Sequence, residues 1–156
     1  RTLGEAMQTN LEKVGGVKYT EEEKAFAIKI QSSFTFTYPA VESADSIKPL
    51  KIEMDAGGGS TDIGDVSYAL PTVGLRAATW APGTPAHSWQ AVACGGTEMG
   101  TKGMLVAAKT MALTAIDLFT NPALIQQSKD EFLKMKGNYK YEALLGTRKP
   151  ALNYRD

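Results

Sequence analysis

Apolar and polar positions along the chain predict helices at both ends and a less regular middle. Leu3, Met7, Leu11 and Val14 recur at helical spacing behind Thr2 and Glu5, which are placed as a capping box. Gly15-Gly16 closes that helix, since glycine enters the left-handed conformation that ends helices without steric cost. Thr20 and Glu23 form a second capping box, opening a helix that carries Phe26 and Ile30 and fades near Ser32-Ser33. The strongest periodic signal comes later. Met104, Leu105, Ala108, Met111, Ala112, Ala115, Ile116 and Phe119 form one stripe of a helix over about 102–119. Asn121 then caps and Pro122 opens another helix, with Leu124, Ile125, Ser128, Phe132 and Met135 in register.

Between these helices the pattern weakens. Residues 34–50 mix aromatic, Thr, Pro and Ser positions and read as an irregular connection, with Ile47 to Met54 a candidate short strand. Ala56 to Asp65 is a glycine-rich loop, and Ser60 or Thr61 can cap a short helical turn over Ile63 to Ala69 that Pro71 ends. Thr72 to Trp80 is β-branched and apolar enough for a strand. Ala81-Pro-Gly-Thr-Pro85 must be a loop, because two prolines and a glycine do not fit a regular ladder. Residues 137–156 read as a polar tail laid over the surface. The expected fold is α/β, with helices layered on a short sheet. Two or three short strands are few for a full sheet, so part of the domain is expected to lie outside these residues.

Composition narrows the class without naming it. The 156 residues suffice for one domain with a real core, and 43% hydrophobic with 22% charged residues is ordinary for a soluble globular protein. Seventeen basic residues balance seventeen acidic ones, so no global field argues for nucleic acid or a membrane surface. No unbroken apolar run approaches the roughly 18 to 20 residues of a membrane span. One cysteine, Cys94, excludes an internal disulfide and suits a reducing, cytoplasmic setting. The chain opens on Arg1 rather than methionine, which suggests a trimmed product or a fragment.

Four features carry candidate chemistry. Gly57-Gly58-Gly59-Ser60-Thr61-Asp62 lets backbone approach a ligand closely and ends at a helix start that favours anions; a flexible turn before a capped helix explains it equally well. His87, the only histidine, follows a rigid proline-glycine loop directly after the expected strand, where α/β proteins place their sites. Glu21-Glu22-Glu23 looks like clustered carboxylates, yet the first turn of a helix is where acidic residues suit the dipole. Cys94 has no charged partner in view and reads as a small buried hydrophobe. A serine hydrolase built on Ser60, His87 and Asp62 or Asp65 lacks the Gly-x-Ser-x-Gly elbow, because Thr61-Asp62 follows Ser60.

Two families share motifs with this sequence. Glu53-Met-Asp-Ala-Gly-Gly-Gly-Ser-Thr-Asp62 resembles a phosphate loop of actin-like ATPases, over about ten residues and with no adenosine motif to accompany it. The other resemblance covers most of the chain. Gly59-Ser60-Thr61-Asp62-Ile63-Gly64-Asp65, Pro71-Thr72-Val73, Gly83-Thr84-Pro85-Ala86-His87-Ser88-Trp89-Gln90, Gly95-Gly96, Lys102-Gly103-Met104 and Asp117-Leu118-Phe119 before Asn121-Pro122 follow one another as in the C-terminal region of M20 peptidases, in the group that hydrolyses aminobenzoyl-glutamate. That resemblance implies a di-metal hydrolase of amide bonds, with zinc or manganese, a small amide or peptide substrate, and a lid domain used for homodimerisation. It implies that His87 ligates a metal and that Gly59, Ser60, Thr61 and Asp62 lie at the mouth of the site, toward a substrate carboxylate. The upstream histidine-aspartate element, the bridging acid, the Glu-Glu pair and the lid are all missing from residues 1–156. One histidine cannot hold zinc at three or four protein ligands, so the chain is expected to be the C-terminal portion of a catalytic domain, inactive alone. The other readings kept open are the ATPase fragment and a non-catalytic interaction module.

Overall fold

A computed structural model describes residues 1–52 and 61–153. Six α-helices account for most of the order: α1 (Thr2–Val14), α2 (Glu21–Gln31), α3 (Ile63–Ala69), α4 (Trp89–Gly95), α5 (Glu98–Thr120) and α6 (Pro122–Lys136), with a 3-10 turn at Val41–Asp45. The expectation of an α/β fold is overturned, because the described residues contain no β-strand and the fold is helical. Residues 72–79 are not helical and Val73, Leu75 and Ala77 are less exposed than Thr72, Gly74 and Arg76, the alternation of a strand. No backbone hydrogen bond joins residues 71–79 to another described backbone group. A strand exists only through a neighbour's ladder, and composition alone cannot supply one. The other candidate strand, 47–54, is irregular through Ile52 and then leaves the described residues.

Several local expectations hold. Thr20 Oγ1 accepts from the Glu23 amide at 3.2 Å, and Glu23 Oε2 accepts from the Thr20 amide at 2.6 Å, so the box opening α2 is complete. Gly15 closes α1 at a φ of 84°. Asn121 Oδ1 accepts from the Leu124 amide ahead of α6, with Pro122 in its first turn. The box expected at Thr2 does not form. The helix already includes Thr2, whose amide and hydroxyl both donate to the Glu131 carboxylate at 2.8 and 2.6 Å and so tie α1 to α6. These bonds hold the Glu131 carboxyl far down, at about 2.

α5 is the spine, packed against α1, α4 and α6. Its inward face is built from Met99, Gly100, Gly103, Thr110 and Thr114. Thr114 Oγ1 accepts from Asn10 Nδ2 at 3.2 Å, and the same amide donates to Asp117 Oδ2 at 2.6 Å, leaving the α1–α5 contact polar and satisfied. A Cβ on Gly103 would stand 2.3 Å from the Ala78 carbonyl oxygen, so the extended segment lies directly on the helix backbone there. That close approach demands a small residue at 103, and beyond Met99 most of the bulky side chains of α5 face the other way. The stripe of Met104, Leu105, Met111, Ile116 and Phe119 is exposed, Phe119 to 88%. α5 is 23 residues long with a mean hydropathy of 1.3 over its most apolar window, enough for a membrane span by length and composition. It reaches that length only by including Glu98, Lys102, Lys109 and Asp117, which break every unbroken apolar run.

A second core forms where α2 and α4 meet the start of α5: Ala27, Ile30, Val41, Ala81, Cys94 and Met99 are buried together. Cys94 is a fully buried apolar filler, as its surroundings in sequence suggest. Lys102 Nζ stitches this core by donating to Glu23 Oε2 at 2.6 Å and to the Lys18 carbonyl at 3.2 Å. Burial by itself would raise the Glu23 carboxyl, but the hydrogen bonds from Lys102 and Thr20 outweigh it and hold the group below its ordinary value. The Glu23 side chain is only 13% exposed, so this contact is screened less than a surface pair. A carboxyl lowered on folding stabilises the fold above its unfolded pKa and stops doing so as pH falls through the folded value. Glu23→Gln is therefore expected to cost about 1 kcal/mol near neutrality. The variant's melting temperature should also fall less than the parent's between about pH 5 and 3. Parallel acid-dependent melts of the two proteins check both signs.

Candidate metal-ligand loop

The segment from Trp80 to Ser88 leaves the extended stretch, turns at Gly83 and delivers His87 to the start of α4. Three consecutive carbonyls at its root are each satisfied. The Trp80 carbonyl accepts from Tyr19 Oη at 3.2 Å, the Ala81 carbonyl from Thr84 N and Oγ1 at 3.0 and 2.7 Å, and the Pro82 carbonyl from Gln31 Nε2 at 2.9 Å. Burial, helped by the nearby Cys94 and Glu23, pushes the Tyr19 hydroxyl up to about 12, so it keeps its proton and remains a donor. Gly83 sits at a φ of 89°, and a Cβ there would lie 2.7 Å from Tyr38 Cβ, so both conformation and space require glycine. Beyond the turn, Ser88 Oγ donates to the Pro85 carbonyl at 2.7 Å and accepts from the Ala91 amide at 3.2 Å as the cap of α4.

His87 adopts a φ of 58°, the one left-handed non-glycine among the described residues. Such a backbone costs on the order of 1–2 kcal/mol and survives where its surroundings fix it. Its imidazole is exposed. Among the described residues no three His, Cys, Asp or Glu side chains gather as a metal site. The other soft donor, Cys94, is sealed in the core. An exposed imidazole on a fixed loop suits one ligand position of a metal, and the described residues of this chain do not fill the others.

Of the expected substrate-facing loop, Gly59 and Ser60 lie outside the described residues, as does most of the phosphate-loop likeness at 53–62. Thr61 and Asp62 are exposed, and the Thr61 hydroxyl accepts from the Ile63 amide at 3.3 Å. No hydrogen bond between described residues links them to the His87 loop. The helix they precede is tied instead to the C-terminal tail: Tyr141 Oη donates to Asp65 at 2.6 Å, and Tyr68 stacks on Tyr141 with centroids 5.9 Å apart. A cleft of about 900 Å³ beside α3, lined among others by Leu3, Leu50, Tyr68, Val73 and Phe132, does not include His87. The described residues therefore do not join the two halves of the expected site. Glu21 to Glu23 lie in the first turn of α2, where Glu21 pairs with Lys24 and Glu23 with Lys102. They form no carboxylate site.

One residue of this loop's support escapes motif reading. Gln31 is a polar position in the register of Ala27 and Ile30, on the buried face of α2. A lone amide in an apolar register is the available signal, since a buried amide must find partners.

Against known proteins, the chain matches part of a bacterial hydrolase. That relative is the B component of p-aminobenzoyl-glutamate hydrolase from Escherichia coli (strain K12), 32% identical over 164 aligned positions that take in 90% of this chain and 34% of the relative. The chain is thus homologous to that hydrolase component and spans about a third of its length. No family model and no solved structure matches.

Proposed function

We propose that this chain is the C-terminal portion of the catalytic domain of an M20-type metal-dependent amidohydrolase. In the complete enzyme it supplies His87 as one metal ligand. The parent reaction is hydrolysis of an amide bond, as in p-aminobenzoyl-glutamate, the substrate in its relative's name, or in a short peptide. The observation that carries this reading is the isolation of an exposed imidazole on a loop fixed from both ends. A bound zinc or manganese would supply an activated water near neutral pH. The chain's own contributions are a preset imidazole position and, at Thr61, a hydroxyl whose proton is left to donate to a substrate carboxylate. The exposed apolar stripe of α5 supports the view that further polypeptide belongs on this domain.

The test uses two proteins: the full product of the reading frame that contains these residues, and residues 1–156 alone. The full product should hydrolyse p-aminobenzoyl-glutamate, lose that activity on chelation and dialysis, and regain it with zinc or manganese. The 156 residues should release no aminobenzoate with either metal. Turnover by the short chain, or activity indifferent to chelation, would sink the proposal.

A further inference from the structure

We infer that Gln31, at the C-terminal end of α2, is a positioning residue for His87, an inference that rests on the metal-ligand reading above. The Gln31 side chain is only 4% exposed, and its single amide nitrogen donates to two main-chain carbonyls, Pro39 and Pro82, both at 2.9 Å. It thereby fastens the Ala81–Ser88 loop to the segment entering the 3-10 turn. Tyr38 stands against Gly83 at that seam. Two residues further on, Ser33 Oγ accepts from Gln90 Nε2 at 3.1 Å, on the far side of His87. The end of α2 thus holds the loop before and after the imidazole.

The chemistry favours this role over mere filling. Both hydrogen bonds are part-buried, so water only partly replaces the donor that each carbonyl loses when the Gln31 amide is removed. Release of the Pro82 carbonyl would send it toward water and carry Gly83 with it. His87 sits four residues past Gly83 in a left-handed conformation that a loosened loop has no reason to keep. A ligand whose backbone relaxes binds metal less well, because ordering it again is charged to the binding step.

His87 is the only histidine, so its amide and ring signals are identifiable directly in the 156-residue protein. Gln31→Met keeps the length and removes the donor. Heteronuclear relaxation should show residues 83–88 becoming disordered while α1, α5 and α6 keep their signals. Unchanged order at His87 in a folded Gln31→Met protein would overturn the inference. Should that variant unfold, Gln31→Asn retains an amide one methylene too short to span both carbonyls and is read the same way. In the complete protein, Gln31→Met should weaken metal affinity about ten-fold by chelator competition, as for other residues that orient a ligand. It should have no further effect in a His87→Ala background, where there is no imidazole left to position. A merely structural role would lower both proteins' melting temperatures and leave metal affinity alone. If His87→Ala itself leaves affinity unchanged, the metal reading fails. If His87→Ala weakens binding but Gln31→Met does not, only the positioning role fails.

Discussion

His87→Ala in the complete protein is expected to lower amide hydrolysis by more than roughly 100-fold, the upper end found for residues that merely orient a ligand. Among the described residues no other donor stands ready to take the place of this imidazole. Cys94 is buried, and no cluster of alternative donors stands among the described residues. Since the imidazole is exposed, its removal should leave the chain's folding intact. The left-handed backbone at that position would even favour His87→Gly, which relieves the strain while still abolishing the ligand. The two variants should therefore share the catalytic loss and part in stability, glycine melting no lower than alanine. Steady-state rates and thermal melts, each with metal in excess, check the pair. Near-normal rates in either variant would remove His87 from the reaction.

The second large effect is structural. Gly103→Val is expected to cost about 3 kcal/mol or more, at or beyond the top of the usual range for overpacking. A Cβ there meets the Ala78 carbonyl oxygen at 2.3 Å and the Thr79 Cγ2 at 2.8 Å, and the first of these is backbone that cannot rotate away. A small domain holds only about 5–15 kcal/mol in total, so much of the margin disappears. Gly64→Ala in α3 provides the opposite case. Among the described residues nothing lies within 4 Å of its Cβ position, and alanine should stabilise that short helix by about 0.4–1 kcal/mol. Chemical denaturation of both variants beside the parent checks the contrast. Equal midpoints would mean that α5 does not lie on the extended segment.

The helices were legible because their signals are local. Thr20 with Glu23, Gly15, and Asn121 ahead of Pro122 act within one turn of themselves, and each appears where the sequence puts it. Thr2 shows the limit: its hydroxyl goes to Glu131, a choice that no three-residue motif can announce. The strand expected at 72–80 failed for a related reason. β-branched residues prepare a chain to pair, while pairing depends on a neighbour that composition does not reveal. The stripe on α5 was found but not its direction, because periodicity locates an apolar face without saying what covers it. Glycine and threonine at 103, 110 and 114, unremarkable in sequence, took the inward side. At the candidate site, His87 could be singled out by chain position. Its support from Gln31 and Tyr19 involves separations of dozens of residues and no recognisable spacing.

That outward row on α5 also bears on how a cell would handle this polypeptide. Five large apolar side chains open to water along one helix form a surface that chaperones hold and proteases sample. Residues 1–156 released without a cover would be expected to have a short lifetime in the cell, however well their own core is packed. Abundance, measured as decay after synthesis is stopped, would then report on assembly as directly as activity does.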